Sequence, residues 1–198
     1  MPTIKESSIA KLMPTQITVG MIEVADKIKE ILGFRPDEPV EFMRAHAAPA
    51  VTGPQCRVFV TDHHHVARAA LEAGVGTGFF EIEADLSQYD PDNFWTEMDR
   101  NPCVHPLDEN GVRQNYSAIP QRLQHLVDDV YRSLAGYVRN AGGFDKTPTV
   151  FAEFIWADFF RRSVPVELVR SDFAAAVRVV IPLAQGQLAK GMPGFRGI

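Results

Sequence analysis

The sequence predicts an α+β protein, with a small mixed sheet and its helices in the first half and a helical second half. Three observations carry this. Short apolar runs of strand type lie at Ala50–Thr52, Arg57–Thr61 and Phe79–Ala84, each bounded by turn or cap residues. Around them, apolar residues recur at helical spacing behind recognisable caps. Beyond about residue 90 the strand patterns cease and only helical periodicity remains. The domain expectation is therefore an α+β core over 10–90 and a helical extension over 91–190, packed as one compact unit.

In chain order, Pro14 to Gly20 reads as a short extended segment, with Ile17 and Val19 alternating against Thr18. Met21, Ile22, Ala25, Ile28 and Leu32 then keep helical spacing, and Gly33 closes that helix. A second helix fits Glu38 to His46, opened by Asp37 near the N-cap. Gly53-Pro54 reads as a hairpin turn between the next two strands. Asp62 stands where an N-cap belongs; Val66, Ala69, Ala70 and Ala73 form a helical stripe, and Gly74 takes the C′ place. The strand through Phe79, Phe80, Ile82 and Ala84 ends at Asp85.

Asp90-Pro91 is a cap followed by proline at the first helical position, starting a helix through about Met98. The loop from Asn101 to Tyr116 is long for a compact domain, which suggests a working or lid segment. Leu123, Leu126, Val127, Val130, Leu134 and Tyr137 carry helical periodicity up to Gly142-Gly143. Phe151, Phe154, Ile155 and Phe159 mark another helix ending near Arg161-Arg162, and Ala174 to Val180 a last one. The Gly191–Ile198 tail reads as frayed. Trp95, Trp156, Phe151, Phe154 and Phe159 are assigned to packing.

With 198 residues, 45% of them hydrophobic and 23% charged, the chain has enough material to bury a core and is neither disordered nor fibrous. Its formal charge of −5 counts against a main task of gripping a phosphate backbone. Cys56 and Cys103 are far apart and form no CxxC pair, so neither a disulfide framework nor a zinc cluster is expected. The first residues lack an apolar signal core and no apolar run reaches the roughly 18 residues of a membrane helix. The expectation is a soluble, cytoplasmic protein with no membrane partner.

The junction Val58-Phe59-Val60-Thr61-Asp62-His63-His64-His65 carries the chemistry. An apolar strand that ends in acid and imidazoles and then opens a helix is a way to build an anion site, because N–H groups and the helix dipole favour phosphate there. An aspartate at that point can hold Mg²⁺ or orient a histidine, and a histidine can hydrogen-bond phosphate or move a proton. Three adjacent histidines on a starting helix point about 100° apart, so they cannot all ligate one metal. The plain alternative is a capping aspartate followed by solvent-facing histidines.

Asp62 to Gly74 resembles the Asp-Gly-His-His-Arg…Gly signature of the ParB/sulfiredoxin superfamily, with Arg68-Ala69 matching the Arg-Ala of the ParB version. Pro14-Thr15-Gln16-Ile17-Thr18-Val19-Gly20, Asp128-Asp129 with Tyr131 to Gly136, and Phe154 to Phe159 extend the likeness to the branch labelled ParB-like nucleases, over roughly residues 10 to 165. The resemblance implies a small α+β fold whose members bind nucleoside triphosphates, phosphorylate substrates or act in DNA partition. His64 stands where sulfiredoxins have their catalytic cysteine, so that chemistry is absent. The signature arginine falls on Val66, with Arg68 as the nearest stand-in. Related free-serine kinases have a glutamate base in the first extended segment, where this chain offers Gln16, with Glu23 several residues on.

The resulting expectation is catalysis by Asp62, His64 and His65, phosphate contacts from His63, Arg68, Arg132 and Ser133, and Mg²⁺ on Asp62. Gln16, Glu23, Asp85 and His105 are additional candidates, with Asp99 beside the long loop. Cofactors would be Mg²⁺ and a nucleoside triphosphate; the partner would be a nucleotide or small phosphorylated substrate, and a homodimer is admitted. Asp129 and Arg132 read as a surface pair at i, i+3 spacing. The alternative reading is a non-catalytic DNA-associated or protein-interaction module that keeps the fold.

Overall fold

The computed structural model describes residues 3–35 and 38–197, so the Asp37 cap and Ile198 lie outside the described residues. The chain runs β1 (Thr3–Ser8), β2 (Met13–Pro14), β3 (Thr18–Val19), α1 (Met21–Leu32), α2 (Glu38–Ala45), β4 (Ala48–Thr52), β5 (Val58–Val60), α3 (His64–Glu72), β6 (Thr77–Asp85) and α4 (Pro91–Arg100). β7 (Val127–Asp128), α5 (Val130–Asn140), α6 (Ala152–Ser163), α7 (Val166–Ser171) and α8 (Phe173–Gln185) complete it. This is the α+β architecture with a helical second half that the patterns predict.

Two compact units form: residues 1–19 with 24–127, and residues 20–23 with 128–198. The first holds a five-stranded mixed sheet in the order β1-β6-β4-β5-β2. β4 and β5 are antiparallel, as the predicted hairpin requires, whereas β6 runs parallel to β4 and β2 parallel to β5. Met13, Ile17, Val51, Phe59, Phe94 and Met98 build a core in this unit, with Phe59 and Phe94 rings 4.5 Å apart. Asp90 caps α4 as predicted, its carboxylate accepting from the Asp92 and Asn93 N–H groups.

The second unit packs around Trp156, Phe144, Phe160 and Leu134, with Trp156 and Phe144 stacked at 4.3 Å. The Trp156 indole N–H donates to the Pro193 carbonyl at 2.7 Å. The Asp145 N–H donates to the Gly194 carbonyl at 2.8 Å, and Gly194 has φ +71 where any Cβ would overlap the Asp145 carbonyl. The segment expected to fray is therefore docked on this core as far as it is described.

Several local expectations are corrected. Asp62 is not the cap of α3: His63 is, in the left-handed region, and the helix starts at His64. The β4–β5 connection is longer than a two-residue turn, because Gln55 and Cys56 both have positive φ and Gly53 closes the loop by donating to Arg57. Helix α5 begins at Val130, not near Leu123. Asp129 caps it there, while Leu123–His125 forms a single 3₁₀ turn whose buried Leu123 mimics the helical stripe. The last helix extends from an Asp172 cap to Gln185 with Pro182 inside it. β1 and α7 have no counterpart in the predicted elements. β1 is an edge strand with the polar sequence Thr-Ile-Lys-Glu-Ser-Ser, and α7 is too short to show a period.

Candidate functional site

In the first unit the sheet delivers β5 to the start of α3 through Thr61, Asp62 and His63. His63 has φ 59 and ψ 27, a conformation an L-residue adopts at a cost of about 1–2 kcal/mol. The His63 N–H donates to Asp62 Oδ1 at 2.6 Å, which folds the carboxylate back over the turn. Asp62 is exposed, with 74% of its side chain accessible, and its Oδ2 stands 3.9 Å from His63 Nε2. His63 gives α3 no side-chain cap.

The three histidines separate, because His63 lies outside the helix in the left-handed region while His64 and His65 are successive helical residues. His63 and His65 are half-buried with ring centroids 6.4 Å apart, whereas His64 is 3% exposed. His64 Nε2 accepts the Thr15 backbone N–H at 3.1 Å. Gln16 and His105, both buried, face each other in a parallel bridge; the His105 N–H donates to the Thr15 carbonyl, and Gln16 Nε2 donates to the Thr18 carbonyl at 2.6 Å. The structure thus gathers Thr15, Gln16, His64 and His105 around the first extended segment. Thr15 carries no sequence signal of its own, being one polar residue among Thr15, Gln16 and Thr18.

Arg68 is engaged internally. Its guanidinium donates to the Leu123 carbonyl at 2.9 Å and pairs with Glu72 one turn on, leaving its side chain 11% exposed. Val66, at the signature arginine position, is buried. Asp85 pairs with Thr52, whereas Val60 pairs with Ala50, so the register sets Asp85 at the end of β4 away from the junction. Hydrogen bonds from Ser87 hold its carboxyl below the usual range.

The loop after α4 is held together by its own side chains. Asp108 Oδ1 accepts from the Asn110 and Val112 N–H groups, and its Oδ2 accepts from Gln114. Asp99 pairs with Arg113 and accepts the Tyr116 hydroxyl at 2.7 Å, which raises the Tyr116 phenol above its ordinary value.

In the second unit, Arg132 pairs with Glu23 at 2.7 Å, with Arg132 and Glu23 side chains 14% and 12% exposed. Burial pushes the Glu23 carboxyl up, against the lowering pull of Arg132 and Arg139. Gly136 makes room for this pair, since a Cβ there would overlap the Glu23 carboxylate. A glycine inside a helical stripe is the signal in the sequence that marks this close approach. Ser133 is fully buried and its Oγ accepts the Ile22 N–H at 3.2 Å, while Asp128 accepts the Met21 N–H at 3.0 Å; together they cap the first turn of α1. The expected Asp129–Arg132 surface pair is not formed. Asp129 is buried, caps α5 and pairs with Arg161 at 2.6 Å, and burial raises its carboxyl.

Among the described residues, no three His, Cys, Asp or Glu side chains gather to hold one ion. Asp62 supplies a single carboxylate with one oxygen already bonded to an N–H. Mg²⁺ needs six oxygens in octahedral array, so oxygens other than those of Asp62 would have to supply most of its sphere. No helix among those residues is long and apolar enough to cross a membrane.

The family model described as "Putative ParB-like nuclease" matches residues 5–162. No curated protein sequence matches the chain. Among solved structures it is similar to protein Atu1540 from Agrobacterium tumefaciens, with 36% identity, a TM-score of 0.91 and 100% of both chains covered. The match runs from β1 almost to the end of α6 and so takes in the Asp62–His65 junction, the Thr15 segment and the Glu23–Arg132 pair. On this extent of likeness in sequence and in fold, the chain belongs to the ParB-like nuclease family.

Proposed function

We propose that the chain binds a nucleotide or small phosphorylated substrate at the Asp62–His65 junction of its first unit, and carries out Mg²⁺-dependent phosphoryl transfer or hydrolysis there. The observation that carries this is the left-handed backbone of His63 at the strand-to-helix turn. Strain of this kind costs about 1–3 kcal/mol and clusters at ligand sites. The first turn of α3 begins directly after His63, and the positive end of the helix dipole favours an anion there.

Each residue then has a task. The N-terminal turn of α3 receives phosphate oxygens. His63 and His65, half-buried on either side of the buried His64, hydrogen-bond phosphate, and His65 moves the proton of the attacking or leaving group. Asp62 would hold the cation that arrives with the phosphates, and a Mg²⁺ ion bound there would supply positive charge to the transferred group. A cytoplasmic setting suits such a ligand.

Calorimetric titration with ATP, with and without Mg²⁺, followed by product analysis, tests the proposal. Binding at a hundred times the dissociation constant stabilises the protein by about 2.7 kcal/mol in a thermal-shift assay. Asp62→Asn is expected to cut the rate more than the affinity, because its charge is needed mainly in the transition state. Absence of any shift with nucleoside di- and triphosphates rejects the reading.

The internal engagement of Arg68 favours a second reading, a non-catalytic DNA-associated or protein-interaction module, because it withdraws the nearest cation from phosphate. Nanomolar duplex binding at physiological salt by fluorescence anisotropy is its test; the net negative charge predicts weak, salt-sensitive binding instead.

A further inference from the structure

The three histidines at the start of α3 do not share one task. His64 is almost fully buried, and its Nε2 accepts the Thr15 N–H at 3.1 Å. A ring nitrogen that accepts carries no proton, so the neutral ring keeps its proton on Nδ1. The other polar groups of Thr15 are committed as well. Its hydroxyl donates to the Val60 carbonyl at 2.9 Å, and its carbonyl accepts the His105 N–H at 2.8 Å. The Thr15 hydroxyl also lies 3.5 Å from His64 Nε2, but its proton points to Val60, which leaves the backbone N–H as the donor to the ring. One residue thereby ties together the end of β5, the first turn of α3 and the loop that carries His105.

We propose that His64 is a positioning residue: as the neutral Nδ1–H tautomer it holds the Thr15 peptide against the first turn of α3 and sets the shape of the junction before a phosphorylated ligand arrives. This rests on the reading of Asp62–His65 as a phosphate site. With its Nε2 spent on Thr15 and the residue only 3% exposed, His64 is assigned no contact with phosphate or with the transferred proton. His65 projects about 100° away around the helix, His63 precedes the helix on its left-handed turn, and these two keep those tasks. Alanine at position 64 removes the acceptor and strands the buried Thr15 N–H, so the junction must be ordered at the moment of binding. Glutamine places a carbonyl oxygen near the same point and accepts the same N–H.

Two measurements test this. Nitrogen-15 spectra of the wild-type protein at neutral pH, assigned by comparison with His64→Gln, read the ring directly and need no ligand. The expected result is a protonated Nδ1 and a bare Nε2; a proton on Nε2 overturns the proposal. Titration with Mg–ATP is expected to show affinity weakened about fivefold in His64→Ala, the worth of one hydrogen bond, and restored to within about twofold in His64→Gln. Equal loss in both variants overturns it. Should the wild type bind no Mg–ATP, the phosphate reading fails alone, and the tautomer together with hydrogen-exchange protection of the Thr15 amide decides for or against the clamp.

Discussion

Replacing His63 separates backbone strain from side-chain chemistry at the junction. With φ 59 and ψ 27, His63 carries the left-handed penalty of about 1–2 kcal/mol. Glycine at this position removes the penalty and adds roughly 0.5–1 kcal/mol of unfolded-state entropy, so His63→Gly is expected to lie within about 1 kcal/mol of wild type. Alanine keeps a Cβ in the left-handed region and is expected to be less stable than glycine by about 1 kcal/mol, or about 2–4 °C in melting temperature for a chain of this size. His63 Nδ1 is buried without a hydrogen-bond partner, so neither variant sacrifices a bond at that nitrogen. Both remove the imidazole, and each is expected to lose about 0.5–1.5 kcal/mol of Mg–ATP affinity. Melting curves and calorimetric titration of the three proteins provide the readings. An alanine variant as stable as the glycine variant would refute the strain argument, and unchanged affinity in both would refute a role for the ring.

Other outcomes follow from the buried pairs. Gly136→Ala should drive the Glu23 carboxylate off Arg132 and cost about 3 kcal/mol or more in urea unfolding, the penalty for breaking a buried ion pair, and Glu23→Ala in the same chain should make the added Cβ nearly free. Burial raises the folded-state pKa of Glu23 above 4.5, so the folded form binds a proton more readily than the unfolded one. Between 4.5 and the raised value this group's contribution to stability falls as pH rises, and the wild-type minus Glu23→Gln difference in urea melts should slope that way. Arg68→Ala should cost about 1.5–3 kcal/mol of stability through the lost Leu123 carbonyl bond while leaving Mg–ATP affinity unchanged; a selective loss of affinity would restore Arg68 as a phosphate ligand.

Local chemistry alone determines much of this protein. Asp90-Pro91 and Gly74 act at short range, through a cap, a fixed φ and a tolerated positive φ (+80 at Gly74), so their helix boundaries were legible in sequence. The apolar runs of β4, β5 and β6 and the acid–imidazole junction were legible for the same reason. Three adjacent histidines, however, look alike in sequence. Which of them turns inward depends on the His63 dihedral and on a hydrogen bond to Thr15, forty-nine positions away. Glu23 and Arg132 are 109 positions apart, and a helix glycine lets them meet. Sequence shows Arg68 only as a cation near the junction, whereas the fold gives it the Leu123 carbonyl, fifty-five positions away, as a partner. Burial and long-range partners assign roles among chemically equivalent side chains, because a buried donor must find an acceptor wherever the fold supplies one, and periodicity carries no record of that choice.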